Sequence, residues 1–339
     1  MVLLPAFLIV LSLAFEVNAS NFGYPKSLVR DANGQQHLVN PNPYRVVDDF
    51  LEPSFIAETD VFFRLYTRAN PENDQILKPN DTSSIANSHF DPGHPTRFLI
   101  HGWNQNNESE FLVKTRHSYL SVDDFNIIAV DWGKGAQTIN YITARYRVEH
   151  VGRVTSQMVD TLVKASRVPL DRVIAIGYSL GAHIAGVTGK HQMGRLSTIV
   201  GLDPAGPLFT TNSSDGLNRQ DAQYVEMVST NARILGSYSP LGAANFYVNG
   251  GLDQPGCGMD LFGICSHSRS WMYFEETITT GAGFRGVRCA TFEDFKAGKC
   301  NAEGSTTAVR MGGEPSNHGR GVEGVYLVQT NSQAPFAKG

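Results

Sequence analysis

The stretch Val173-Ile174-Ala175-Ile176-Gly177-Tyr178-Ser179-Leu180-Gly181-Ala182-His183 decides how this chain is read. A run of apolar, β-branched residues stops at a Gly-x-Ser-x-Gly pattern, and helix-compatible residues follow it. Strand, tight turn and helix in that order are what a nucleophile elbow requires. The glycines flank the serine where a side chain would collide with backbone, the turn carries Oγ to its apex, and the helix N-terminus offers N–H groups to a developing oxyanion. Ser179 is therefore the candidate nucleophile. The pattern alone is weak, since an ordinary serine in a glycine-rich turn spells it equally well, so partners elsewhere in the chain have to support it.

Working outward, residues 61–67 read as a strand by their β-branched and aromatic content, and residues 97–100 as a short buried strand running into His101-Gly102-Trp103. Residues 109–120 read as an amphipathic helix. Residues 125–130 form another buried strand ending at Asp131-Trp132-Gly133, and residues 146–166 a helix with Val151, Val154, Met158, Leu162 and Val163 at helical spacing. Beyond the elbow, residues 199–202 are the next buried strand. This alternation predicts an α/β fold with a mostly parallel, doubly wound sheet covered on both faces. In such sheets the chemistry sits at the carboxyl ends of the strands.

The candidate partners fall there. Asp203 stands at the end of the strand 199–202, in Asp203-Pro204-Ala205-Gly206-Pro207, and as a pre-proline residue it is expected to be extended, with its carboxylate aimed across the sheet top. A turn-forming Asp-Pro would look the same in isolation. Hydrolases with such an elbow order their residues Ser, Asp or Glu, His along the chain, and only His267 and His318 follow Asp203. His267 lies two residues after Cys265, just ahead of a helix expected from Trp271 onward, where a disulfide would hold the imidazole still. His318 lies in a glycine-rich turn. His267 is therefore the candidate base, and His183, on the elbow helix, is expected to pack rather than react. The backbone N–H groups of Leu180 and Trp103 are the candidate oxyanion hole.

Composition bounds the remaining possibilities. The 339 residues are 41% hydrophobic, enough for a substantial core, and the net charge of −4 gives no reason to expect nucleic acid. Residues 2–15 are uncharged and leucine-rich but too short to span a bilayer, and Val17-Asn18-Ala19 has the small residues that signal peptidase needs. A signal peptide over 1–19, an extension over 20–58 and a catalytic domain over 59–339 are expected, and with them secretion. The sequons at Asn80, Asn107 and Asn212 are candidate glycosylation sites. Four cysteines come as two close pairs, Cys257 with Cys265 and Cys289 with Cys300. Pairing between neighbours suits short disulfide loops in an oxidising compartment, although four cysteines allow three pairings. A zinc site would want tighter spacing and nearby histidines, so no metal is expected, and no cofactor either.

Taken together, His101-Gly102-Trp103, Val130-Asp131-Trp132, Gly177-Tyr178-Ser179-Leu180-Gly181-Ala182-His183, Gly201-Leu202-Asp203-Pro204-Ala205-Gly206-Pro207, Asn249-Gly250-Gly251 and Cys265-Ser266-His267 resemble, in this order, the pancreatic lipase family, over roughly residues 59–330. Within that family the chain is similar to the insect secreted branch, which holds neutral lipases, A1-type venom phospholipases and lipase-derived yolk proteins. The resemblance implies an α/β-hydrolase fold and ester hydrolysis on lipids at a membrane, micelle or droplet surface. It implies Ser179, Asp203 and His267 as the triad, Trp103 and Leu180 as oxyanion donors, and a Cys257–Cys265 disulfide closing a lid.

The departures from the family pattern are informative. Only about seventy residues follow His267, so the C-terminal β-sandwich of the vertebrate lipases is expected to be missing, and with it any colipase-like partner. The lid between the cysteines is seven residues long, Gly258, Met259, Asp260, Leu261, Phe262, Gly263 and Ile264. The loop from Arg233 to Asn245 is also short. In the family such an opened site accompanies phospholipase A1 activity more than strict triacylglycerol hydrolysis. A neutral triacylglycerol lipase and a non-catalytic, yolk-type lipid carrier are the alternatives, the second opposed by an intact triad. The family's structural calcium loop corresponds to residues 217–222, where Asn218 stands in place of a carboxylate and Gly216 in place of an arginine, so no required ion is expected.

Overall fold

The computed structural model describes residues 27–30, 36–39, 55–232, 234–280, 283–300 and 309–339. The expected leader over 1–19 lies outside them. Two short strands, β1 (Ser27–Arg30) and β2 (Gln36–Val39), pair antiparallel as a separate ribbon. The remaining strands form one eleven-stranded sheet. They are β3 (Phe62–Tyr66), β4 (Gln75–Leu77), β5 (Thr96–Ile100), β6 (Asn126–Asp131), β7 (Val173–Tyr178), β8 (Thr198–Leu202), β9 (Tyr224–Ser229), β10 (Ala244–Val248), β11 (Phe284–Cys289), β12 (Val309–Met311) and β13 (Gly324–Val328). Their order is β12-β11-β13-β10-β9-β8-β7-β5-β6-β3-β4. The seven central strands, β13 to β6 in that order, run parallel, and the antiparallel pairs are confined to the two margins. This is the mostly parallel, doubly wound sheet that the alternation predicts, and it fits the α/β-hydrolase fold that the resemblance implies.

Four long helices cover it: α1 (Glu110–Val122), α2 (Tyr141–Ser166), α3 (Leu180–His191) and α4 (Ile264–Thr279). The two-residue period of the strands divides the core between faces. On β7, Val173 and Ala175 pack with Val148, Val151, Met158 and Leu162 of α2 and Ile184 and Val187 of α3. Ile174, Ile176 and Tyr178 pack on the other face with Phe111 and Tyr119 of α1 and Trp271 and Phe274 of α4. All six residues of β7 are buried, so the strand has no polar face to alternate with, as a doubly covered parallel sheet requires. Each buried valine, leucine, isoleucine, methionine or phenylalanine among them contributes about 1.5–3 kcal/mol. Phe55 and Ala57 already pack into this core, four and two residues ahead of the boundary expected at 59.

Helix α2 begins five residues earlier than the periodicity suggests. The Asn140 side chain accepts the Ile142 N–H at 3.1 Å, an N-cap that extends the helix across residues without the apolar repeat. Among the described residues no helix is long and apolar enough to cross a membrane.

His183 on α3 packs, as expected. Its Nε2 is 2.8 Å from the Ala205 carbonyl, its Nδ1 accepts the Leu217 N–H at 2.9 Å, and its ring stacks on Phe209 at 3.6 Å. Burial pushes its pKa down to about 3, against the pull of the Ala205 carbonyl. A histidine kept neutral by folding leaves the unfolded chain as the stronger proton binder, so the stability it supports is complete above about pH 6.5 and is lost as the pH falls toward 3. Between pH 7 and pH 5 this amounts to about 2 kcal/mol. Thermal unfolding at the two pH values is expected to show that loss in the wild type and a shallower dependence in His183→Gln.

Candidate functional site

The elbow forms where the sequence places it. Strand β7 ends at Tyr178, Ser179 takes φ 57° and ψ −121°, and α3 starts at Leu180. A positive φ at a non-glycine residue is strain held by its surroundings. A Cβ at Gly177 would lie 2.1 Å from the Gly181 carbonyl oxygen, and one at Gly181 would lie 2.0 Å from that of Ile100. The two glycines of the pattern are thus the points at which strand, helix and neighbouring β5 touch through bare backbone. The Ser179 N–H donates to Leu202 O at 3.0 Å, and the Ala205 N–H donates to Ser179 O at 3.3 Å, which ties the elbow to the loop carrying Asp203.

Asp203 corrects one expectation. It is not extended but left-handed, with φ 42°. Its N–H donates to Val228 O at 2.7 Å, and its Oδ1 accepts the Thr230 and Asn231 N–H groups at 2.8 and 3.1 Å. Three bonds to the end of the adjacent strand β9 outweigh the pre-proline preference, and aspartate is among the few residues that tolerate this region. The carboxylate is fully buried, and a Cβ at Gly236 would come within 2.5 Å of it.

Asp203 Oδ2 stands 2.6 Å from His267 Nδ1. His267 itself corrects a second expectation, since it lies on the first turn of α4 and not in a loop ahead of a helix at Trp271. The serine-rich segment 266–270 has poor intrinsic helix propensity, but the turn ahead of it overrides this. Asp260 accepts the Cys265 and Ser266 N–H groups at 3.2 and 2.7 Å, satisfying donors that a helix start leaves unpaired, and Gly263 enters at φ 71°. The His267 carbonyl accepts the Ser270 hydroxyl at 2.8 Å. The ring of Tyr178, the residue before the serine, lies 4.7 Å from the His267 ring, so the imidazole stands at the end of β7 from which the elbow turns.

The oxyanion candidates converge there too. Leu180 is the first residue of α3 and fully buried. The chain beyond β5 passes so close that a Cβ at Gly102 would be 2.8 Å from Ser179 Cβ. Trp103 is anchored beside it by its indole N–H, which donates to Thr138 O at 2.8 Å. The segment Gly258–Ile264 is closed by the Cys257–Cys265 disulfide and exposes Met259, Leu261 and Ile264, while Gly263 is buried. The second disulfide joins Cys300 to Cys289, the last residue of β11, which pairs with Val325 near the start of β13 and so lies away from the site. His318 is also remote, with Nδ1 3.4 Å from Ser197 Oγ ahead of β8. Asn80 and Asn212 are exposed, whereas Asn107 is half-buried and donates from Nδ2 to Tyr66 OH at 2.9 Å.

The loop 217–222 does not fit a calcium ion. Asp221 Oδ2 takes the Lys190 ammonium at 2.6 Å and the Asn218 N–H at 2.7 Å, Lys190 also donates to Gly216 O at 2.6 Å, and Asp215 is paired with Arg145. The chain's own cations stand where an ion would need free oxygen ligands.

Sequence reading misses the residues that hold the site from outside the motifs. Thr230, Asn231 and Gly236 cradle Asp203, and Asp260 caps the helix of His267. Only Asp260 leaves a trace, an acidic residue shortly before a helix start.

Comparison with known proteins agrees with this geometry. A family model described as "Lipase" matches residues 37–336. The pancreatic triacylglycerol lipase of Mus musculus is 34% identical over 279 residues, covering 76% of this chain and 60% of that protein. Lipase member H-A of Xenopus laevis is 36% identical, covering 70% of this chain and 52% of its own. The inactive pancreatic lipase-related protein 1 of Homo sapiens is 36% identical, covering 70% and 56%. The chain therefore spans between half and two thirds of the length of these relatives. On the extent of the family match, the chain belongs to the lipase family.

Proposed function

We propose that the protein is a secreted carboxylic ester hydrolase that acts on lipids through Ser179, His267 and Asp203. The observation that carries this reading is the Asp203–His267 pair, 2.6 Å apart and buried, beside an elbow serine. A carboxylate bound to Nδ1 fixes the tautomer in which Nε2 has its lone pair free. His267 Nε2 then takes the Ser179 hydroxyl proton as Oγ attacks the ester carbonyl, Asp203 stabilises the resulting imidazolium, and the Trp103 and Leu180 N–H groups receive the oxyanion. The alcohol leaves with the proton from His267. Water attacks the acyl-enzyme by the same base, and the fatty acid is released.

Phospholipase A1 character is supported by the short loop over 258–264. Its disulfide and the two bonds from Asp260 hold it down, and its exposed Met259, Leu261 and Ile264 present apolar surface suited to a membrane or micelle. Triacylglycerol hydrolysis is the second reading, supported by the similarity to the pancreatic triacylglycerol lipase. The carrier reading leaves a buried carboxylate and histidine paired for no purpose. The two disulfides agree with an oxidising compartment.

Ser179→Ala is expected to lower kcat on a short-chain p-nitrophenyl ester by at least about 10³-fold, and Asp203→Asn by about 10⁴-fold, with unchanged melting temperature for Ser179→Ala. An alanine variant as fast as the wild type removes the catalytic reading. For substrate class, fatty-acid release from phosphatidylcholine vesicles is expected to exceed that from triolein emulsion. A phospholipid rate equal to the enzyme-free blank contradicts the phospholipase reading.

A further inference from the structure

The residues that follow β5 include a buried histidine that the proposed mechanism does not use. His101 is fully buried. Its Nδ1 lies 2.9 Å from the carbonyl oxygen of Gly102, and its Nε2 lies 3.2 Å from the Trp132 N–H. Each backbone partner can play only one role. The carbonyl accepts, so Nδ1 carries the proton, and the amide donates, so Nε2 offers its lone pair. The ring is thereby fixed in one orientation. Trp132 holds it further, with its indole stacked at 5.5 Å and its Nε1–H donating to His101 O at 2.9 Å. Asp131 has Oδ1 3.8 Å from Nε2 and is itself bonded to the Gly133 N–H and to Arg64.

Gly102 is held on its other side as well. Its N–H donates to Gln105 Oε1 at 3.0 Å. Both polar atoms of this one residue are therefore taken by side chains, those of His101 and Gln105. The reason for such a clamp follows from the site. Position 102 has to be glycine, because a Cβ there would lie 2.8 Å from Ser179 Cβ and 3.1 Å from Tyr178 O. Glycine is also the residue whose backbone rotates most freely. The Gly102 carbonyl and the Trp103 N–H belong to one planar peptide, which is not among the cis bonds of the chain, so fixing the direction of the first fixes the direction of the second. An oxyanion donor is effective only if it is aimed before the charge develops.

We infer that His101 and Gln105 are positioning residues for the reaction: they clamp the Gly102–Trp103 peptide so that the Trp103 N–H points at the reacting carbonyl oxygen. The inference rests on the reading of Ser179 as nucleophile and Trp103 as donor. Neither side chain touches substrate. Both act through the one peptide between them and the nucleophile.

The test compares Gln105→Ala, whose side chain is only half-buried, with His101→Leu and with His101→Asn, which keeps a donor near the place of Nδ1. Rates are expressed per active site titrated with a fluorophosphonate. The removal of either clamp is expected to lower kcat by about 10- to 100-fold with KM within about twofold, and to weaken binding of a trifluoromethyl ketone analogue of the acyl group by the same factor. His101→Asn retains more of kcat than His101→Leu. Unchanged kcat per site in Gln105→Ala and His101→Leu overturns the inference, as does a fall in kcat without a matching loss of ketone affinity, which would mark a merely structural role. Should Ser179→Ala keep wild-type activity, the underlying reading of the site fails, and that result is independent of the clamp variants.

Discussion

The site depends on one close approach, the contact of the first turn of α3 with the end of β5. A Cβ at Gly181 would lie 2.0 Å from the Ile100 carbonyl oxygen, and no rearrangement short of moving the helix off the sheet relieves a clash of that size. With glycine there, the helix start sits directly over the strand ends. Ser179 is lifted into a positive φ, and the chain leaving β5 passes against its side chain. The geometry of the proposed nucleophile and oxyanion donors is thus set by backbone contact and not by side-chain packing, which gives it little room to relax.

The strain at Ser179 and at Asp203 is sustained by different means. At the elbow, buried strands on both sides and the hydrogen bond from Ser179 N–H to Leu202 O hold the turn. At Asp203 the carboxylate and N–H bonds to Thr230, Asn231 and Val228 hold it. Both outliers stand at the end of parallel strands, β7 and β8, which is where open α/β sheets place their ligands. Strain concentrated at two neighbouring strand ends, with ordinary geometry along the strands beneath, fits a site whose precision is maintained by the sheet.

The local parts of this arrangement are legible in the sequence, and the non-local parts are not. Glycines spaced around Ser179 carry their own explanation, because the clash that requires them lies within the motif and one neighbouring strand. Asp203 is legible as a strand-end carboxylate, but its backbone conformation is not, since the bonds that impose it come from residues 25 to 28 positions later. The start of α4 at Ile264 is hidden in the same way. Residues 266–270 read as a poor helix, and only Asp260 and the Cys257–Cys265 disulfide, folded back on them, make the first turn. His101 shows in sequence as half of a His-Gly pair. What it does depends on Trp132, which reaches it across two adjacent strands.

The central claim is that Ser179 is the one nucleophile of the site, activated by His267. It is tested most directly by treating the protein with a long-chain fluorophosphonate and locating the adduct by peptide mass spectrometry. The account predicts a single modification, on Ser179, which disappears when His267 is replaced by alanine. An adduct on any other residue, or equal labelling after loss of His267, would contradict it.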